Sequence, residues 1–86
     1  MKEAIGMIET RSLAAAIEAA DVMVKSANVK IIDFQFVGSG IVAVTVSGEV
    51  AAVKSAVENA EERASKVAEV ISYNVIARPH EIDKIL

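Results

Sequence analysis

Apolar residues recur with two different periods along this chain. The order in which those periods alternate restricts the fold more than any other feature. Over residues 4–10 the period is two: Ile5 and Met7 share one face, Ala4, Gly6 and Ile8 the other. From there to about Ala27 it lengthens to 3.6. Leu13, Ala16, Ile17, Ala20, Val24 and Ala27 form the expected inner stripe of a helix, with Ala15, Ala19 and Val22 outside. Thr10 or Ser12 is placed to cap that helix. Asp21 and Lys25 are spaced to pair across one turn of its outer face. Asn28 is placed to end it, because asparagine tolerates the left-handed conformation of a helix stop.

Residues 30–37 alternate again. Ile32, Phe34 and Phe36 oppose Asp33 and Gln35, which predicts one buried and one partly wet face. Gly38-Ser39-Gly40 then turns the chain into residues 41–47, β-branched at nearly every position. A strand, a short glycine turn and a strand read as a hairpin. A second helix opens at Gly48-Glu49 and runs to about Val67, with Val50, Val53, Val57, Ala60, Ala64 and Val67 inside. Lys54 with Glu58, and Glu62 with Lys66, are spaced to pair outside. Residues 70–77 form the last strand, stopped by Pro79, which cannot donate to a sheet ladder. Residues 81–86 are too short for an independent helix and need a surface for Ile82, Ile85 or Leu86. The order βαββαβ predicts an α+β fold: a ferredoxin-like antiparallel sheet with both helices on one face, as a single domain over residues 1–86.

Eighty-six residues bury only about 60–65% of their unfolded surface. Yet 53% of this chain is hydrophobic. No apolar run approaches the ~20 residues needed to cross a bilayer, and the N-terminus lacks the pattern of a signal peptide. That surplus of apolar surface predicts burial against other subunits. Cysteine is absent, which removes disulfides and thiolate metal sites and fits a reducing compartment. A net charge of −3 and three aromatic residues argue against a nucleic-acid surface.

No motif marks a catalytic centre. His80 is the single histidine, and no motif marks any serine as a nucleophile activated by it. Glu58, Glu61 and Glu62 read as a solvated helix face before they read as an acid and base pair. Gly38-Ser39-Gly40 is no phosphate loop, since a strand follows it. Taken alone it is a hairpin turn, Lys25 a solvated lysine, Asn28 a cap, and Arg78-Pro79-His80 a strand terminus.

Four segments change that reading together: Gly6-Met7-Ile8-Glu9-Thr10-Arg11, Asp21-Val22-Met23-Val24-Lys25-Ser26-Ala27-Asn28, Gly38-Ser39-Gly40 and Ala77-Arg78-Pro79-His80. In this order and spacing the chain closely resembles the bacterial microcompartment shell proteins, the hexamers that tile the shells of carboxysomes and metabolosomes. The resemblance implies a BMC domain, a structural and non-enzymatic role with no cofactor and no metal, and a place in a shell in the bacterial cytoplasm. It implies a pore on the sixfold axis lined by Gly38, Ser39 and Gly40, passing small polar metabolites. It implies a hexamer–hexamer edge built from Asp21, Lys25, Asn28, Arg78, Pro79 and His80, with the arginine inserted into a neighbouring tile. The implied partners are copies of itself, other shell proteins and encapsulated enzymes, with no nucleic acid and no membrane. Ser47-Gly48-Glu49 stands where many relatives carry Arg-Gly-Asp, Ser12 where glycine is frequent, and Ala77 where proline is frequent. Two other readings of the residues stay open here: a ligand-sensing regulatory module of ferredoxin-like fold, and an enzyme using Ser39 or His80.

Overall fold

The computed structural model describes residues 3–78. Their elements follow the expected order: β1 (Glu3–Thr10), α1 (Leu13–Ser26), β2 (Val29–Gly38), β3 (Ile41–Glu49), α2 (Val50–Ala64) and β4 (Val70–Arg78). The four strands form one antiparallel sheet in the order β2-β3-β1-β4. Both helices pack on the same face, α1 over β3, β1 and β2, and α2 chiefly over β1 and β4. The described residues make a plate of 38 × 26 × 16 Å.

Strand β1 carries the core. Ala4, Gly6, Ile8 and Thr10 are buried beneath the helices, opposite Val42, Val44 and Val46 of β3. Gly6 is where α2 comes closest. A Cβ there would lie 2.6 Å from Val53 Cγ1 and 2.7 Å from Val57 Cγ2. Both valines are buried and stiff at χ1, so neither swings aside cheaply. Gly6→Ala is therefore expected to destabilise the fold by about 1–3 kcal/mol through overpacking. A lowered urea midpoint with unchanged m-value is the measurement that checks it.

Helix α1 starts as expected and then departs from the expected packing. Ser12 Oγ accepts from the Ala15 amide at 3.1 Å. Thr10 braces the cap, its hydroxyl donating to the Ser12 carbonyl at 2.7 Å. The inner stripe, however, is rotated from the predicted one. Ala15, Ala16, Ala19 and Met23 are buried, whereas Leu13, Ile17 and Val24 are 45%, 55% and 44% exposed. Alanines let α1 lie close to both the sheet and α2, and the larger aliphatics are turned outward. Nor does Asn28 stop the helix in a left-handed conformation. Ala27 caps it with extended backbone (φ −157°), and Ser39 is the one described non-glycine residue with positive φ.

Strand β2 also differs from expectation. It is an edge strand exposed along nearly its whole length, Phe36 to 67%. A register shift between Ile31 and Asp33 makes Ile32 an extra residue, so Ile31 joins Phe34 and Phe36 on the helix side. Helix α2 keeps most of its expected stripe, with Val53, Ala56, Val57, Ala60 and Ala64 buried. It ends at Ala64, which leaves Val67 51% exposed in the turn beyond. Its expected ion pairs, Lys54–Glu58 and Glu62–Lys66, do not form; Arg63 instead reaches Glu18 of α1 at 3.4 Å.

Candidate functional site

The hairpin turn holds three consecutive residues at positive φ: Gly38 at 122°, Ser39 at 55° and Gly40 at 78°. Glycine is needed at the first of these, which lies far outside the region open to L side chains. Ser39 holds its positive φ without a glycine's freedom. A Cβ at Gly38 or Gly40 would meet nothing within 4 Å, and all three residues are exposed. The turn thus projects free of the core, with one hydroxyl, which can donate or accept, at its apex.

Lys25 and Asp21 form the expected pair across one turn of α1, Nζ to Oδ2 at 3.3 Å. Their side chains are 75% and 50% exposed, so this pair adds little to the stability of one chain. Its effect is to restrain a long lysine on the last turn of the helix, where the backbone dipole favours a cation. Asn28 is exposed in the bend that follows. Arg78 is the last residue of β4 and sits across from Glu3. Pro79 and His80 lie outside the described residues.

Strand register relates these positions to each other. Val29, Gly48, Ala4 and Ala77 lie in one row across the sheet. Asn28 and Arg78 therefore share one end of the sheet, on its two opposite edges, with Lys25 close in sequence. Gly38-Ser39-Gly40 lies at the other end. The ten residues of β2 separate the two ends by about 30 Å at roughly 3.3 Å per residue. The expected site residues fall into two groups at opposite ends of one plate.

Other candidates are not brought together. Glu58 and Glu62 lie exposed on α2 with Glu61 half-buried, and no described group of three His, Cys, Asp or Glu side chains is placed to hold a metal ion. No described helix is long and apolar enough to cross a membrane. The sequence missed three contacts between distant segments. Ser72 donates to Glu9 Oε1 at 2.7 Å; Arg11 meets Glu69 through its side chain at 3.1 Å and its backbone amide at 3.0 Å; and Glu18 meets Arg63. Pairs this far apart leave no spacing signal.

Comparison with known proteins identifies the family to which this fold belongs. The family model described as the BMC domain matches residues 4–79. The bacterial microcompartment shell protein PduA of Citrobacter freundii is 52% identical over 86 residues, covering 99% of this chain and 92% of that protein. The carboxysome shell protein CcmK2 of Synechocystis sp. is 48% identical over 83 residues, covering 94% of this chain and 81% of that one. Among solved structures, a microcompartment protein from Desulfitobacterium hafniense DCB superimposes with a TM-score of 0.80 at 36% identity. That match covers 86% of this chain, which spans 40% of the longer one. The chain belongs to the BMC domain family and is a structural shell protein of the bacterial microcompartment type, not an enzyme.

Proposed function

We propose that this chain assembles as a homohexamer in which the Gly38-Ser39-Gly40 turns ring the axis, and that hexamers tile edge to edge through Asp21, Lys25, Asn28 and Arg78. The observation that supports this most is the separation of the two groups along the strands. If the turn lies on a symmetry axis, the strands run outward from it. Lys25, Asn28 and Arg78 then arrive together at the perimeter, about 30 Å away. The uncovered Leu13, Ile17, Val24, Phe36 and Ile76 are the surplus apolar surface that neighbouring subunits would remove from water.

On the axis, glycines let six backbones approach closely. Six Ser39 hydroxyls offer donors and acceptors that replace part of the hydration shell of a small polar metabolite without holding it tightly. The layer so formed is the shell wall of a compartment in the bacterial cytoplasm. Its partners are further copies, other shell proteins and the enclosed enzymes.

Native mass spectrometry at micromolar protein is expected to show a hexamer. Six copies at −3 each carry −18, which keeps free rings soluble through mutual repulsion. A spectrum of monomer or dimer alone overturns the reading.

A further inference from the structure

The register of the sheet also specifies how one subunit meets the next, given the ring proposed above. Rotation about an axis preserves distance from that axis. With strands running outward, β2 and β4 are the two side walls of each subunit, because they are the opposite edges of the sheet. Each residue of the β2 wall must then meet residues of the next copy's β4 wall in its own row.

The rows match in chemistry. On the helix side, Phe34 shares a row with Val44, Ile8 and Tyr73, and Ile31 shares one with Val46, Gly6 and Val75. On the open side, Gln35 lies in the row of Ser72, and Asp33 in the row of Asn74. In these four rows aromatic faces aromatic, aliphatic faces aliphatic and hydrogen-bonding groups face each other, whereas Phe36 falls in the row of Val70 and Lys30 in the row of Ile76. The β4 wall also offers a receptor: a groove of about 270 Å³ between α2 and β4, floored by Val57, Tyr73 and Val75 and rimmed by Lys54, Glu58 and Asn74. The β2 wall offers a ridge, in which the rings of Phe34 and Phe36 stand edge to face with centroids 6.3 Å apart. Bulged residues at Ile32 and Val37 interrupt the β2 ladder, which favours docking through side chains over a continuous intersubunit sheet.

We infer that Phe34 of one copy seats beside Tyr73 in the α2–β4 groove of the next, a head-to-tail contact that repeats around the ring. The two surfaces differ, so the contact is heterologous and closes only as a cycle. A Phe34–Tyr73 pair suits the offset or edge-to-face geometry that aromatic rings prefer.

The inference rests on the hexamer reading, and the test separates the two. The chain has no cysteine, so introduced thiols report alone. Phe34→Cys and Tyr73→Cys variants are prepared separately, checked for wild-type circular dichroism, mixed under conditions of subunit exchange, and treated with a short bis-maleimide. The mixture is expected to give covalent dimers that neither variant gives alone. The double variant is expected to give a ladder ending at a closed hexamer. Rings of hexameric mass without 34–73 crosslinks overturn the pairing and leave the ring standing. Crosslinks within the Phe34→Cys sample alone mean that β2 edges meet each other, which also overturns it. If the unmodified chain shows no hexamer by native mass, the ring reading fails first and takes the pairing with it.

Discussion

Lys25→Ala and Arg78→Ala are each expected to yield rings of unchanged mass that no longer form extended sheets. In the proposed ring both positions lie at the perimeter end of the plate, away from the side walls proposed for contacts within one ring. In the free chain Lys25 is restrained only by Asp21 at 3.3 Å and is otherwise solvated. Alanine there costs the fold little, since an exposed pair of this kind contributes about 0–1 kcal/mol. In the proposed tiling the same ammonium would leave water, and losing a buried, hydrogen-bonded charge typically costs ~2–5 kcal/mol. That loss would recur at every edge of every proposed ring, so a modest change per contact is expected to abolish a lattice that depends on many. Arginine matters at position 78 for a further reason. A planar fork of donors can engage two carbonyl oxygens at once, which a lysine ammonium cannot do. Arg78→Lys is therefore expected to weaken sheets as well. Electron microscopy of wild type and variants at matched salt and concentration decides the matter. Sheets from either alanine variant at the wild-type threshold refute the edge assignment.

The other large effect is expected at the turn. Ser39→Leu is expected to slow entry of a small polar metabolite into assembled shells while ring mass and sheet formation stay as in wild type. The structure explains why assembly is spared. The turn is exposed, no atom lies near the Cβ positions of its flanking glycines, and it packs against nothing described in the chain. Ser39 already holds a positive φ of 55°, so the backbone cost of a side chain there, about 1–2 kcal/mol, exists in wild type and is not introduced by leucine. In the proposed ring, six copies around one opening would multiply each change. Leucine narrows the passage, removes the hydroxyls that stand in for water, and favours dewetting, which slows charged species most. The measurement is flux into shells built from each protein, with morphology checked by microscopy. Equal flux in well-formed shells shows that the three residues are only a hairpin turn, or that passage runs through another component.

Much of this protein is legible in its residues, for physical reasons that can be located. Periods of 2.0 and 3.6 place all six elements to within a few residues, because alternating and helical burial leave different traces in sequence. The Asp21–Lys25 pair is legible from its spacing, and the turn from its glycines. What spacing cannot carry is the choice between two apolar stripes on one helix. Helix α1 is apolar nearly all round. Its larger residues suggest one inner face, and its alanines fill the other. Only the close approach of α1 to the sheet and to α2 selects the alanines, and this leaves Leu13, Ile17 and Val24 exposed.

Two further points were decided by tertiary structure alone. Pairing with β3 inserts Ile32 as an extra residue and so moves Ile31 onto the face of Phe34 and Phe36, because register depends on the partner strand as much as on the strand itself. Register also gathers Lys25, Asn28 and Arg78, up to 53 positions apart in the chain, at one end of the sheet and sets the turn at the other. The sequence by itself determined which residues these are and which elements carry them. Their joint position at one end follows from antiparallel pairing, in which the ends of distant strands become neighbours through hydrogen bonds that no local pattern records.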